Sequence, residues 1–360
     1  MTRVWGAVWR LTLIMACWPG WCAAQPAQPM FYNPVLLSGP DPWVIQRDGF
    51  YYFLSTTGVN LTIWKTRDIT DLAHAQKKVV WTPAPGHPWS KEVWAPELHF
   101  LEGKWYLYFA ADDGRNGDHR IWVVENASQD PLEGTWTLKG KVADASDKWA
   151  IDPTVLTLGE ANYLIWSGWE GDTDGQQNLY IARLRNPWTI DGPRVRLSYP
   201  EYPWEKVGDL SPSGPIVPVP HVDVNEGPEI LQHEGRVFLT YSASGCWTNY
   251  YELGMLALAP GGDPMNAREW RKSAAPVFWQ NPAGAAYGTG HNGFFLSPDG
   301  KQDWIVYHAN PAPDMGCGSA RSVRMQPFGW RPNGTPDFGR PVPLGQLLPK
   351  PSGTDSGTHR

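Results

Sequence analysis

Four acidic residues and one histidine occupy the same place in a pattern that runs the length of the chain. Asp41, Glu97, Asp152, Glu226 and His291 each stand at a short turn, usually with a proline, that leads into an aromatic strand, a glycine turn and a second aromatic strand. Carboxylates gathered in one place suit proton transfer, because like charges at close range cannot all ionise cheaply and their pKa values are driven apart. Acid followed by proline is also ordinary turn chemistry, with the acid capping and the ring fixing φ, and Asp41 taken alone reads that way. The equivalence of Asp41, Asp152 and Glu226 as strand starts turns the reading towards function. Aligning Pro40, Pro96 and Pro228 instead sets Glu97 and Glu229, rather than Glu226, opposite Asp41. Spacing alone leaves Glu226 and Glu229 both open.

The elements that must position these groups repeat over residues 39–57, 94–111, 151–169, 225–244 and 290–310, with 55 to 74 residues between successive starts. A period of that size means a ring or a solenoid. Runs such as Phe50-Tyr51-Tyr52-Phe53-Leu54 and Trp105-Tyr106-Leu107-Tyr108-Phe109, preceded by Gly49 and Gly103, predict antiparallel hairpins. A third strand follows each, over 61–66, 120–125, 179–184, 253–258 and 322–328. Three strands and a variable fourth, five times over, describe an all-β chain folded as a five-bladed β-propeller. Helical periodicity is nowhere sustained, and 35 Pro with 37 Gly would break it. In such a ring the first strand of every blade begins near the axis at one face, so the five starts converge on an axial active site.

The chain has 360 residues, 42% hydrophobic and 18% charged, which is globular. Its 22 Trp and 14 Tyr exceed what a core needs and are available to stack on a ligand. A net charge of −6 without a basic run excludes nucleic acid as a partner, and no protein partner is expected. Arg3 and Arg10 precede an apolar stretch, 11–18, too short to span a bilayer. Residues 1–24 therefore read as an export signal peptide cut before Gln25, which places the protein in the periplasm or outside the cell; a lipid anchor at Cys17 is the second reading. The catalytic propeller is expected over 25–345, with a polar C-terminal tail over 346–360. Cys246 and Cys317 lie just beyond the second strands of repeats four and five, where a disulfide and two free thiols are both consistent with the pattern. They are not a metal site, since no His or Cys partner stands at ligand spacing.

Trp43, Trp94, Trp166 and Trp169 could pack blade on blade or face a ligand. Aromatics beside an axial carboxylate cluster suit a sugar, whose ring faces are apolar and whose hydroxyls need hydrogen bonds. Trp94 and Trp166 are the expected stacking residues. His291, in Gly288-Thr289-Gly290-His291-Asn292, either packs structurally or holds a central ion or water, while His308 and His221 read as structural.

The ordered set Gly39-Pro40-Asp41-Pro42, Trp94-Ala95-Pro96-Glu97, Ile151-Asp152-Pro153, Glu226-Gly227-Pro228, Gly290-His291 and Gly334-Thr335-Pro336 resembles glycoside hydrolase family 43. The resemblance implies a five-bladed propeller and an inverting glycosidase, with Asp41 as general base, Glu226 as general acid and Asp152 as the carboxylate that orients the acid and adjusts its pKa. It selects Glu226 over Glu229 and leaves Glu97 as a structural member. On this reading a negative Asp152 helps to keep Glu226 protonated. Arg321 would bias the site or bind a sugar hydroxyl, with Arg324 as the structural alternative. His291 would touch an axial cation such as calcium, directly or through water, and no cofactor is needed for the chemistry. Residues 80–114 and 321–342 are similar to exo-acting α-L-arabinofuranosidases of the family, which implies release of terminal arabinofuranosyl residues from arabinan or arabinoxylan. A β-xylosidase, an endo-α-1,5-arabinanase and a non-catalytic sugar-binding propeller are the competing expectations.

Overall fold

The computed structural model describes residues 1–2, 28–210 and 219–354. The export-signal segment and Cys17 lie outside the described residues except for the first two positions. Strand β1 (Met30–Tyr32) is followed by four-stranded antiparallel units. The first is β2 (Trp43–Arg47), β3 (Phe50–Leu54), β4 (Leu61–Thr66) and β5 (Gln76–Trp81); the second is β6 (Lys91–Leu101), β7 (Lys104–Asp112), β8 (Arg120–Asn126) and β9 (Thr137–Lys141). The third is β10 (Ala150–Leu158), β11 (Ala161–Gly168), β12 (Gln176–Asn186) and β13 (Thr189–Ser198). The fourth is β14 (Asp223–His233), β15 (Arg236–Ala243), β16 (Glu252–Leu258) and β17 (Trp270–Lys272), and the fifth is β18 (Tyr287–Leu296), β19 (Asp303–Asn310), β20 (Ser322–Trp330) and β21 (Pro336–Asp337). The chain is all-β, as its alternating aromatic runs predict; its helices among the described residues are short 3₁₀ turns. A two-residue parallel bridge, Gln176 and Gln177 with Asp223 and Val224, joins units three and four into one sheet, a link the repeat did not foretell.

In units one, two, four and five the second strand is the most buried, because both of its faces meet neighbouring sheets. In β7, Trp105, Leu107 and Phe109 pack with Tyr52, Leu54 and Ile63 of unit one, while Tyr106 and Tyr108 pack with Leu164 and Trp166 of unit three. Aromatics fill the spaces between splayed sheets with few side chains, which is why the repeat is written in Trp and Tyr. The first strands contact one another in cyclic order: β2 with β6, β6 with β10, β10 with β14, β14 with β18, and β18 with β2. Their starts are thereby brought to one place.

The first and last strands of the described residues close on each other. Strand β22 (Leu347–Pro349) pairs antiparallel with β1, and Asn33 donates from Nδ2 to the Met325 carbonyl while its Oδ1 accepts the Met325 N–H. Within the segment expected as a polar tail, residues 347–354 pack onto the rest of the fold. Leu348 is buried, and the Ser352 hydroxyl donates to Asp299 at 2.6 Å.

Candidate active site

At or beside the start of each first strand one equivalent position lies in the left-handed backbone region, Asp41 (φ 55°), Ala95 (42°), Asp152 (54°), Gly227 (53°) and His291 (45°), and units two and five carry a second such residue, Glu92 (48°) and Gly288 (54°). In units two to five the pairing register shifts at the same place, between Trp94 and Glu97, Ile151 and Thr154, Glu226 and Glu229, and Gly290 and Gly293. These are β-bulges, devices that re-aim a side chain at the end of a ladder. A left-handed non-glycine residue costs about 1–2 kcal/mol and persists where its surroundings dictate it. The bulge corrects the alignment of the starts. Ala95, not Glu97, is the counterpart of Asp41 in unit two, and Gly227, not Glu226, in unit four. Glu226 stands one place ahead of the bulge residue, and Glu97 and Glu229 stand two places after theirs. Glycine at 227 also avoids a close approach, since a Cβ there would lie 3.1 Å from His291 Nδ1.

Asp41, Asp152, Glu226, His291 and Arg321 line one cavity of about 420 Å³, walled by Trp94, Trp149 and Trp247. Asp41 Oδ1 accepts from Arg321 Nη1 at 2.7 Å, and Oδ2 accepts from Thr56 Oγ1 at 2.6 Å. His291 Nδ1 lies 3.3 Å from Oδ1, and the Asp41 N–H donates to His308 Nδ1 at 3.1 Å. That last bond leaves the lone pair of His308 on Nδ1 and the proton of a neutral ring on Nε2. Burial alone would raise the Asp41 pKa. Arg321, His291, His308 and the Thr56 hydroxyl overcome it and hold the carboxyl well below the usual range, so Asp41 is ionised.

Glu226 is displaced the other way. Its Oε1 accepts from the Tyr251 hydroxyl at 2.9 Å. Burial, aided by the charge of Asp41 and opposed by Tyr251 and Arg321, raises it to about 7. Asp152 accepts the Gly227 N–H on Oδ2 at 2.9 Å, which ties it to the bulge beside Glu226. Its pKa is raised well above the ordinary value by burial, then by Glu226 and Asp41. Burial and the charge of Asp41 favour the protonated form of Glu226, and Glu226 with Asp41 in turn favours protonation of Asp152, so the two carboxyls tend to retain a proton between them. Glu97 and Glu229 form a separate buried pair, with Glu97 Oε2 2.9 Å from His99 Nε2. Neither lines the cavity.

Trp94, His291 and Arg321 lie in the cavity wall, where stacking and hydroxyl-binding residues were expected, but Trp166 does not. It is buried between units two and three against Tyr106, Leu164 and Tyr180, because its place in β11 points it across the sheet rather than towards the axis. Trp149, stacked on Trp169 at 4.8 Å, lines the wall instead. Arg324 is buried with Nε donating to Ser322 Oγ, away from Asp41, which leaves Arg321 as the counterion. His308, read as structural, contacts Asp41, and Tyr251, Thr56 and Trp247 also escaped the sequence reading. Only the neighbouring cysteine marked the loop that carries Trp247 and Tyr251. Cys246 and Cys317 are joined in a disulfide, and both line the cavity. Among the described residues, His291 belongs to no group of three His, Cys, Asp or Glu donors close enough to share an ion.

The sequence model of the glycosyl hydrolases family 43 matches residues 31–336, which contain every cavity carboxylate. The chain belongs to this family. Among its family 43 relatives, an extracellular exo-α-(1→5)-L-arabinofuranosidase of Streptomyces avermitilis is 38% identical over 89% of this chain and 66% of its own length. A protein of the same name from Streptomyces chartreusis is 39% identical over 81% of this chain and 86% of its own. The crystal structure of an α-L-arabinofuranosidase from Lactobacillus brevis superposes with a TM-score of 0.80 at 34% identity, covering 88% of this chain and 98% of that one.

Proposed function

We propose that the protein is an exo-acting, inverting α-L-arabinofuranosidase that removes terminal arabinofuranosyl residues from arabinan- or arabinoxylan-type chains. The observation that carries the chemistry is the opposite displacement of two carboxyls in one cavity, Asp41 down and Glu226 up. An ionised Asp41 accepts a proton from water as the water attacks the anomeric carbon. Glu226 delivers its proton to the departing glycosidic oxygen on the other face, and the product leaves with inverted configuration. Asp152, fixed through the Gly227 N–H, orients the acid and retains the shared proton before transfer. Arg321 and Thr56 hold the base in place and ionised, while Trp94 and Trp149 offer apolar faces to the sugar. No metal or cofactor enters these steps.

The substrate is argued from the arabinofuranosidase names of the relatives and of the structural neighbour. The five cyclically packed units support a five-bladed propeller spanning the mature domain, 25–345, with its site on the axis. The word extracellular in the two Streptomyces names supports export. Nothing comparable supports the Cys17 anchor, which is not proposed. The test is proton NMR of the sugar first released from linear α-1,5-arabino-oligosaccharides and from debranched arabinan. Release of β-arabinofuranose one unit at a time is expected. First appearance of the α-anomer, internal cleavage of the polymer, release of xylose alone from xylo-oligosaccharides, or binding without turnover would each overturn the proposal.

A further inference from the structure

Behind the aromatic wall lies a group of donors that the hydrolytic steps do not use. Glu92, Asp112 and His119 each present a ligand atom, all within 4.8 Å of one another. They come from the start of β6, the end of β7 and the turn before β8, so the hairpin of unit two holds them together. Asp112 and His119 are fully buried, whereas Glu92 is half-buried and leaves a path from solvent.

An independent observation points to a ligand. Asp112 Oδ1 accepts the Gly114 N–H at 2.8 Å, but Oδ2 is buried without a hydrogen-bond partner and is aimed into the group. It lies 3.1 Å from His119 Nδ1. Leaving a buried carboxylate oxygen unsatisfied is costly. Both ring nitrogens of His119 face carbonyl oxygens, Asn116 O at 3.2 Å from Nδ1 and Glu92 O at 3.4 Å from Nε2. A neutral imidazole can donate to only one of them. A cation at Nδ1 resolves this conflict: the proton resides on Nε2 and points to the Glu92 carbonyl, the usual second contact of a metal-bound histidine.

We propose that Glu92, Asp112 and His119 form a binding site for a divalent transition-metal ion of the zinc type. One imidazole and two carboxylates suit zinc better than calcium, which takes six to eight oxygens. In tetrahedral zinc sites with bonds of about 2.0–2.2 Å, neighbouring ligand atoms lie about 3.3–3.6 Å apart, close to the Oδ2 to Nδ1 separation. The ion takes no part in bond cleavage. His119 stacks on Trp94 at 4.0 Å, and Asn116 O accepts from Trp149 Nε1 at 2.7 Å, so the ion braces two residues of the cavity wall from behind.

The test uses the full chain stripped with a chelator and titrated with zinc chloride by calorimetry, with melting temperature followed in parallel. One equivalent is expected to bind and to raise the melting temperature, and calcium chloride should bind at least about tenfold more weakly. Glu92→Ala, at a half-buried position, and Asp112→Asn should each weaken zinc binding by about tenfold or more. Circular dichroism of the stripped variants checks that they are folded. Absence of zinc binding by the wild-type chain, or undiminished affinity in folded Glu92→Ala, would overturn the proposal.

Discussion

Replacing Arg321 by Met removes the counterion of the proposed base while preserving most of its bulk. The guanidinium donates to Asp41 Oδ1 at 2.7 Å in a site where both side chains are about nine-tenths buried. At an effective dielectric constant of about 20, unit charges about 4 Å apart attract by about 4 kcal/mol, equivalent to about 3 pKa units. The Thr56 hydroxyl and His291 remain, so a rise of about 2–3 units is expected for Asp41. The sign follows from its role. A base must be ionised, and a raised pKa removes activity from the acid side first. The acid limb of kcat/KM, expected below the ordinary carboxylate range in the wild-type protein because Asp41 is held low, should therefore move up by about 2–3 pH units. The assay is the pH profile on 4-nitrophenyl α-L-arabinofuranoside, whose good leaving group reduces dependence on the acid and isolates the base. Arg321→Lys, which keeps the charge but not the fork, should restore much of the limb. A Met variant that loses turnover with its acid limb unmoved would refute the reasoning and leave Arg321 as a sugar-binding residue only.

Glu226→Gln should cut turnover of arabino-oligosaccharides by about 10²–10⁴-fold and that of the nitrophenyl substrate less, since the latter needs little protonation; equal losses on both would remove Glu226 from the role of acid. The wild-type profile should also fall on the alkaline side near pH 7, where Glu226 loses its proton, and this limb should vanish in Glu226→Gln. Gly227→Ala puts a Cβ 3.1 Å from His291 Nδ1 at a φ of +53°. A stability loss of about 1–3 kcal/mol, read in urea melts, should accompany loss of activity. Ser at both Cys246 and Cys317 releases a crosslink between residues 71 apart, which chain entropy values at about 4 kcal/mol. Because both cysteines line the cavity, KM should rise in parallel with the fall in melting temperature; an unchanged KM would limit the bridge to stability.

The hairpins were legible because a strand buried on both faces reads as a nearly continuous aromatic run, and Asp41, Asp152 and Glu226 were legible as a group because each stands at the head of such a run. Register was not. A bulge inserts a residue without a compositional mark, so Glu97 passed for the counterpart of Asp41 when Ala95 occupies that place. Trp166 illustrates a second limit: period two says that a side chain alternates, not which face points to the axis. His308 and Tyr251 reach the carboxylates from a second strand and a loop, by contacts across 267 and 25 residues respectively, and no local pattern encodes those.

The contact between the first and last units also bears on how much of the chain the proposed site needs. Asp41 stands in the first unit and its arginine counterion at the start of the last strand pair, 280 residues later. Until residue 321 has been synthesised, Asp41 lacks the charge that keeps it ionised once buried. The proposed hydrolytic centre is therefore incomplete until Arg321 is in place, and a chain truncated anywhere between residues 226 and 321 carries Asp41, Asp152 and Glu226 yet should be catalytically mute.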